Sequence, residues 1–197
     1  MPDIKAVAVI GAGVMGRGIA HLAVLGGYHV ILEDIVPSSL RRAEEEFRNI
    51  LDQAIAAGEI SRGDAEAALE RLEFAQSVDE AARRADLVIE AVPDEWESKS
   101  EIFILLDKIC RPETILVTAT LTLSVSDIAS VTYRPEKVVG IKFEEPVHRM
   151  ERIEIVQGRH TEADTVAACM ELVGRMGKQA IEIGASAYRD IGLSKKQ

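Results

Sequence analysis

The sequence predicts an α/β domain: a doubly wound, mostly parallel sheet with a helical hairpin inserted after the second strand. Three observations carry that prediction. Short apolar runs alternate with amphipathic stretches along the chain. The first run, Val7-Ala8-Val9-Ile10, breaks into a glycine-rich turn and resumes at helical spacing. The composition is 47% hydrophobic but only 4% aromatic, which suits parallel strands that are covered on both faces and favour branched aliphatics. At 197 residues the chain can bury one substantial core, and residues 1–197 are expected to form a single domain.

After the first strand, the turn at 11–16 opens a helix through Ala23, and Tyr28-His29-Val30-Ile31-Leu32 forms the second strand, ending at Glu33-Asp34. Pro37-Ser38-Ser39 starts a charged helix over 40–57, with Leu40, Ala43, Phe47, Ile50, Leu51 and Ala54 on one face and Gly58 as its stop. Ser61 begins a second helix running through Leu72, so 38–73 reads as a helical hairpin. A short strand at Phe74-Ala75 and a helix over 78–85 lead to the strongly apolar strand 86–92. Residues 95–110 read as a helix, 114–118 as a strand, 124–131 as a short helix, and 138–143 and 152–156 as strands. Thr161 is the expected cap of a helix that stops at Gly177, and 179–183 is the last strand, with antiparallel pairing open among the late strands. Residues 194–197 read as a frayed tail.

The glycine turn carries the first functional signal. In Gly11-Ala12-Gly13-Val14-Met15-Gly16 the first glycine allows the tight turn, the second lets backbone amides approach a pyrophosphate, and the third lets the helix pack close to the strand. An acid about twenty residues further on accepts hydrogen bonds from the adenosine ribose, and Asp34 stands there. This is the arrangement of a Rossmann dinucleotide site. An acid at that position repels a 2′-phosphate, so NAD is the expected cofactor rather than NADP.

Charge and cysteine content narrow the partners. A net charge of −10 argues against nucleic acid or an anionic membrane surface. No segment approaches the length of a membrane span, and the first apolar run is too short and lacks the flanks of a secretory signal. A cytoplasmic location is the resulting expectation. Cys110 and Cys169 are far apart and suggest neither a disulfide framework nor a metal site, so no metal is expected.

Beyond the fingerprint, Gly11 to Ala20, the run Asp86-Leu87-Val88-Ile89-Glu90-Ala91-Val92, Lys99 and Gly177-Lys178 resemble the N-terminal domain of the 3-hydroxyacyl-CoA dehydrogenases, bacterial 3-hydroxybutyryl-CoA dehydrogenases included, over about residues 4–183. The resemblance implies that Lys99 reaches the nicotinamide-side ribose, that Asp94 stands where a Glu assists, and that the hairpin helps to hold coenzyme A. Chemistry in that family is hydride transfer between the 3-hydroxyl carbon and NAD, with a His oriented by a Glu as general base.

The chain departs from that pattern at the chemistry. Where the family shows His-Phe-Phe-Asn-Pro it has Lys142-Phe143-Glu144-Glu145-Pro146, while Glu154 keeps the position of the Glu partner. Asn-Thr-Ser becomes Ala119-Thr120-Leu121, and the closing Pro-Gly-Phe motif becomes Ala187-Tyr188-Arg189. The family then continues into a helical segment of domain size that dimerises, so oligomerisation through that segment is not expected here. A protonated lysine has no lone pair with which to take a proton, so Lys142 is a poor replacement for imidazole.

Three readings follow. In the first, the chain is an engineered single-domain derivative that keeps NAD binding, with Lys142 and Glu154 as an ion pair on a solvated rim among Glu144, Glu145, Glu151 and Arg152. In the second, Lys142 sits beside an apolar pocket of Ala119, Leu121 and Leu123 and forms a Schiff base with a small carbonyl compound, with Tyr188 shuttling a proton. In the third, the chain is an active NAD-dependent dehydrogenase of acyl-CoA substrates that uses Lys142 and Glu154 as its polar pair.

Overall fold

Alternation along the central strands decides how the molecule is layered. In the computed structural model, which describes residues 3–185, strand β1 (Ala6–Ile10) sends Val7 and Val9 into one apolar cluster and Ala8 and Ile10 into another. β2 (His29–Glu33) divides in the same way, with Val30 and Leu32 on the first side and Ile31 on the second. This is the period of two that a strand imposes, and here both faces are dry.

The first face is covered by α1 (Val14–Leu25), by the hairpin of α2 (Pro37–Ala56) and α3 (Arg62–Glu70), and by α7 (Ala163–Arg175). The second is covered by α4 (Val78–Ala82), α5 (Trp96–Ile109) and α6 (Val125–Ala129). The remaining strands are β3 (Leu72–Ala75), β4 (Leu87–Glu90), β5 (Ile115–Thr118), β6 (Val138–Lys142), β7 (Arg152–Gln157) and β8 (Gln179–Ile183). They join one sheet in the order β3-β2-β1-β4-β5-β6-β7-β8. Pairing is parallel from β3 through β6, antiparallel between β6 and β7, and parallel again between β7 and β8. The expected Rossmann architecture is therefore present. Between β1 and β4 the order of strands reverses, and ligands of such sheets bind outside the strand ends at that crevice.

Two local expectations are corrected. Leu72 does not end the second hairpin helix but pairs with Val30 at the start of β3, because a sheet edge next to β2 offers it backbone partners. The hairpin helix is fixed instead at its front, by a capping box between Ser61 and Asp64. Thr161 does not cap α7: Glu162 holds the cap position without a side-chain bond. The Thr161 hydroxyl is taken by the preceding loop, accepting from the Gly158 amide and donating to the Val138 carbonyl. Residues 187–192, with Tyr188, and the tail 194–197 lie outside the described residues.

Candidate functional site

The crevice is built from the first turn. Gly11 adopts φ +100°, open to glycine but strained for other residues, and its amide donates to the Glu33 carbonyl at 2.9 Å, tying the turn to the end of β2. Gly16 is set by close approach, since a Cβ there would lie 1.8 Å from the Gly11 carbonyl oxygen. Gly13 is the N-cap of α1 and offers no side-chain cap, and the first turn carries no acid. The free amides of that turn leave partial positive charge at the crevice.

Asp34 closes the arrangement. Its Oδ2 accepts from the Ala12 amide at 2.9 Å and its Oδ1 from the Val36 amide at 2.8 Å. The cleft has a volume of about 500 Å³ and is lined by Gly11, Gly13, Val14, Met15 and Asp34, with apolar walls from Ile35, Val78, Val92 and Ile102. The glycine turn and the acid that the sequence singled out thus meet in one cavity. Ala12 is buried and Gly16 packs inside, while Val14 is 59% exposed at the mouth.

One residue here was not anticipated in its own right. Glu33, the last residue of β2, is 2% exposed, and its Oε1 has no hydrogen-bond partner. Burial and the neighbouring Asp34 carboxylate push its carboxyl up to about 7, against the Gly11 amide. The signal lay in the alternation: Glu33 falls on the same inward face as Ile31, a position where an acid is out of place.

Deeper in, Lys99 is fully buried, and its Nζ donates to both oxygens of Glu90, at 2.8 and 2.9 Å, and to the Ala119 carbonyl at 3.1 Å. Glu90 also accepts from Thr118 Oγ1 and the Val92 amide. Burial raises the Glu90 carboxyl, while Lys99, Thr118 and Val92 oppose that shift. The Lys99 ammonium, for which the resemblance implies a ribose contact, is engaged here within the protein by Glu90 and the Ala119 carbonyl. Asp94 is likewise committed locally: it accepts from Thr120 Oγ1 at 2.5 Å, Thr122 Oγ1 at 3.0 Å and the Leu121 amide at 3.2 Å. Burial works to raise the Asp94 carboxyl, but these bonds outweigh it and hold the group below its ordinary range.

Lys142 and Glu154 are cross-strand neighbours on β6 and β7, with Nζ 2.9 Å from Oε2 and side chains 19% and 41% exposed. The pair anticipated from sequence is brought together. Of the residues expected to line an apolar pocket beside it, Leu121 is 47% exposed, on a loop whose backbone Asp94 holds. His21 packs edge-on to the Phe47 ring, and burial with nearby His148 lowers its pKa to about 4. Burial pushes the Cys110 and Cys169 thiols up to about 11 and 12. Among the described residues, no cluster of His, Cys, Asp and Glu could hold a metal, and no helix is long and apolar enough to cross a membrane.

A mostly parallel sheet with a glycine turn, an uncapped helix end and an acid meeting at its switch point defines a dinucleotide-binding domain. The chain belongs to the 3-hydroxyacyl-CoA dehydrogenase family: residues 6–186 match the model described as "3-hydroxyacyl-CoA dehydrogenase, NAD binding domain". It is 35% identical over 181 residues to a probable 3-hydroxybutyryl-CoA dehydrogenase of Bacillus subtilis, covering 92% of this chain and 63% of the relative. It is 37% identical over 176 residues to the 3-hydroxybutyryl-CoA dehydrogenase of Bradyrhizobium diazoefficiens, covering 89% and 60%. The crystal structure of 3-hydroxybutyryl-CoA dehydrogenase from Escherichia coli K12 superposes with a TM-score of 0.89 at 35% identity, covering 93% of this chain and 39% of that one. The chain therefore spans less than two thirds of the length of these relatives.

NAD is the cofactor of this domain, and the residues present fit it. A Cβ on Gly13 would meet no protein atom within 4 Å, so the space over the turn is open on the ligand side. Unsatisfied amides suit a pyrophosphate, and the carboxylate of Asp34 suits ribose hydroxyls.

Proposed function

We propose that this chain binds NAD through the cradle of Gly11, Ala12, Gly13, Val14, Met15, Gly16 and Asp34, with the dehydrogenase proton-transfer set replaced. The observation that carries the second half is the Lys142–Glu154 ion pair at 2.9 Å, at the positions where the family pattern places its His and Glu. In relatives of this type NAD accepts a hydride from a hydroxyl-bearing carbon, and a neutral base must take the hydroxyl proton at the same time. An ammonium held by a carboxylate has no free lone pair for that task. Ala119 and Leu121 further remove an amide and a hydroxyl from the loop between β5 and α6.

Within this reading Asp94 and Lys99 act as positioning residues for the nicotinamide end. Lys99 anchors β4 to the Ala119 carbonyl, and Asp94 holds the 120–122 loop, so both set the wall against which the nicotinamide ribose would rest. Departures from the family pattern at 119, 121, 142, 144 and 145, with the cradle intact, support an engineered origin.

Calorimetric titration with NAD, alongside an absorbance assay with NADH and acetoacetyl-CoA, tests the proposal. Saturable binding without NADH oxidation above a buffer blank is expected. Sustained oxidation would show that Lys142 and Glu154 run the dehydrogenase reaction, and absence of binding heat would remove the cofactor role.

A further inference from the structure

On the reading that the cleft takes NAD, Glu33 has a place of its own in it. Alternate residues of a strand share a face, so Glu33 lies on the side of the sheet that carries Ile31 and packs under α4 and α5. The same side supplies Val78 and Ile102 to the cleft walls. Asp34, one residue later, turns instead to the glycine loop, where the Ala12 and Val36 amides occupy its two oxygens. The adjacent acids have therefore divided their work: Asp34 holds the loop, while Glu33 faces the cleft with a buried oxygen that nothing in the protein satisfies.

A carboxyl group taken from water to 2% exposure with one oxygen left unpartnered is a burden on the fold. It is a useful one only if a ligand completes it. We propose that Glu33 is a second specificity-determining acid of this cleft, its carboxyl hydrogen-bonding the adenosine moiety of the dinucleotide. Adenosine offers two kinds of partner, the ribose hydroxyls and the edge of the purine ring. Burial and Asp34 raise the Glu33 carboxyl to about 7, so a share of it is protonated near neutrality, and a neutral carboxyl both donates and accepts, which matches either partner. A 2′-phosphate at this place would meet two acids rather than one.

The test titrates the unaltered chain, Glu33→Val and Glu33→Gln with NAD, ADP-ribose, NADP and nicotinamide hypoxanthine dinucleotide. Glu33→Val is expected to bind NAD and ADP-ribose about tenfold more weakly, with Glu33→Gln in between. If the purine edge is the partner, the loss shrinks when hypoxanthine replaces adenine. If the ribose is the partner, Glu33→Gln narrows the gap between NAD and NADP. Undiminished NAD and ADP-ribose binding by folded Glu33→Val, with Glu33→Gln unchanged as well, overturns the inference while leaving NAD binding in place. Failure of the unaltered chain to bind NAD overturns the cofactor reading and this inference together.

Discussion

Asp34 and Ala12 are joined by a 2.9 Å hydrogen bond from the alanine amide to the aspartate carboxylate, across twenty-two residues of sequence. The acid that would receive the ribose also holds the phosphate turn in shape. Replacing it therefore has two effects. Asp34→Ala is expected to weaken NAD binding by tenfold or more, since bonds to a charged group contribute about 1.5–3 kcal/mol each. It should also lower the melting temperature of the free protein. Asp34→Asn, which keeps one acceptor, is expected to lose less of both. Calorimetry and thermal melts on the two variants decide this, and an Asp34→Ala protein with unaltered affinity would separate the turn from the ligand.

Steric contact predicts opposite outcomes at two helical glycines. Alanine for glycine inside a helix normally stabilises by about 1 kcal/mol. At Gly16 the added Cβ would lie 1.8 Å from the Gly11 carbonyl, so the turn must move. Gly16→Ala is expected to destabilise by about 1–3 kcal/mol and to abolish NAD binding. At Gly174, within α7, a Cβ meets nothing within 4 Å, and Gly174→Ala is expected to stabilise. Urea unfolding of both variants is the measurement, and equal signs would reject the packing account.

How much of this was legible in the sequence varies with the kind of contact. β1, β2 and β4 were readable because full burial forces continuous aliphatic runs, and the turn was readable because only glycine serves at Gly11 and Gly16. Lys99 was singled out by the resemblance but not as a buried residue: a helix lysine reads as exposed until its partner Glu90, on a different element, is seen beneath it. Thr161 was misassigned because a hydroxyl before a helix has several local acceptors, and sequence does not rank them. Glu33 was hidden by Asp34, since two consecutive acids look interchangeable until the strand sends them to different faces.

The Lys99–Glu90 pair predicts a non-additive pattern. Removing one member of a buried ion pair leaves an uncompensated charge, at a cost of about 3–5 kcal/mol, whereas apolar replacement of both is often close to neutral. Lys99→Met is therefore expected to destabilise strongly, and Lys99→Met with Glu90→Gln to recover much of the loss. A double-mutant cycle by urea unfolding checks this. Additive losses would show that Lys99 acts mainly through the Ala119 carbonyl and not through Glu90.

Glu33 and His21 pull stability in opposite directions over one pH range. The folded protein raises the Glu33 pKa from 4.5 to about 7, so it favours the protonated acid. That contribution is full below pH 4.5 and is lost as pH rises through 7. His21 falls from 6.5 to about 4, so the fold favours the neutral ring; its contribution is full above pH 6.5 and is lost as pH falls towards 4. Each effect is on the order of 3 kcal/mol at full extent, and between pH 4.5 and 6.5 the two slopes nearly cancel. Glu33→Gln is expected to expose the His21 slope, leaving a variant that loses stability more steeply than the parent on acidification. His21→Gln should do the reverse and lose stability relative to the parent as pH rises from 4.5 to 7. Carboxylates held low, such as Asp86 and Asp94, add an acid-side loss common to all three proteins, so it drops out of the differences. Urea midpoints at several pH values test the cancellation, and parallel curves for the parent and Glu33→Gln would mean that Glu33 ionises in the fold as freely as in water.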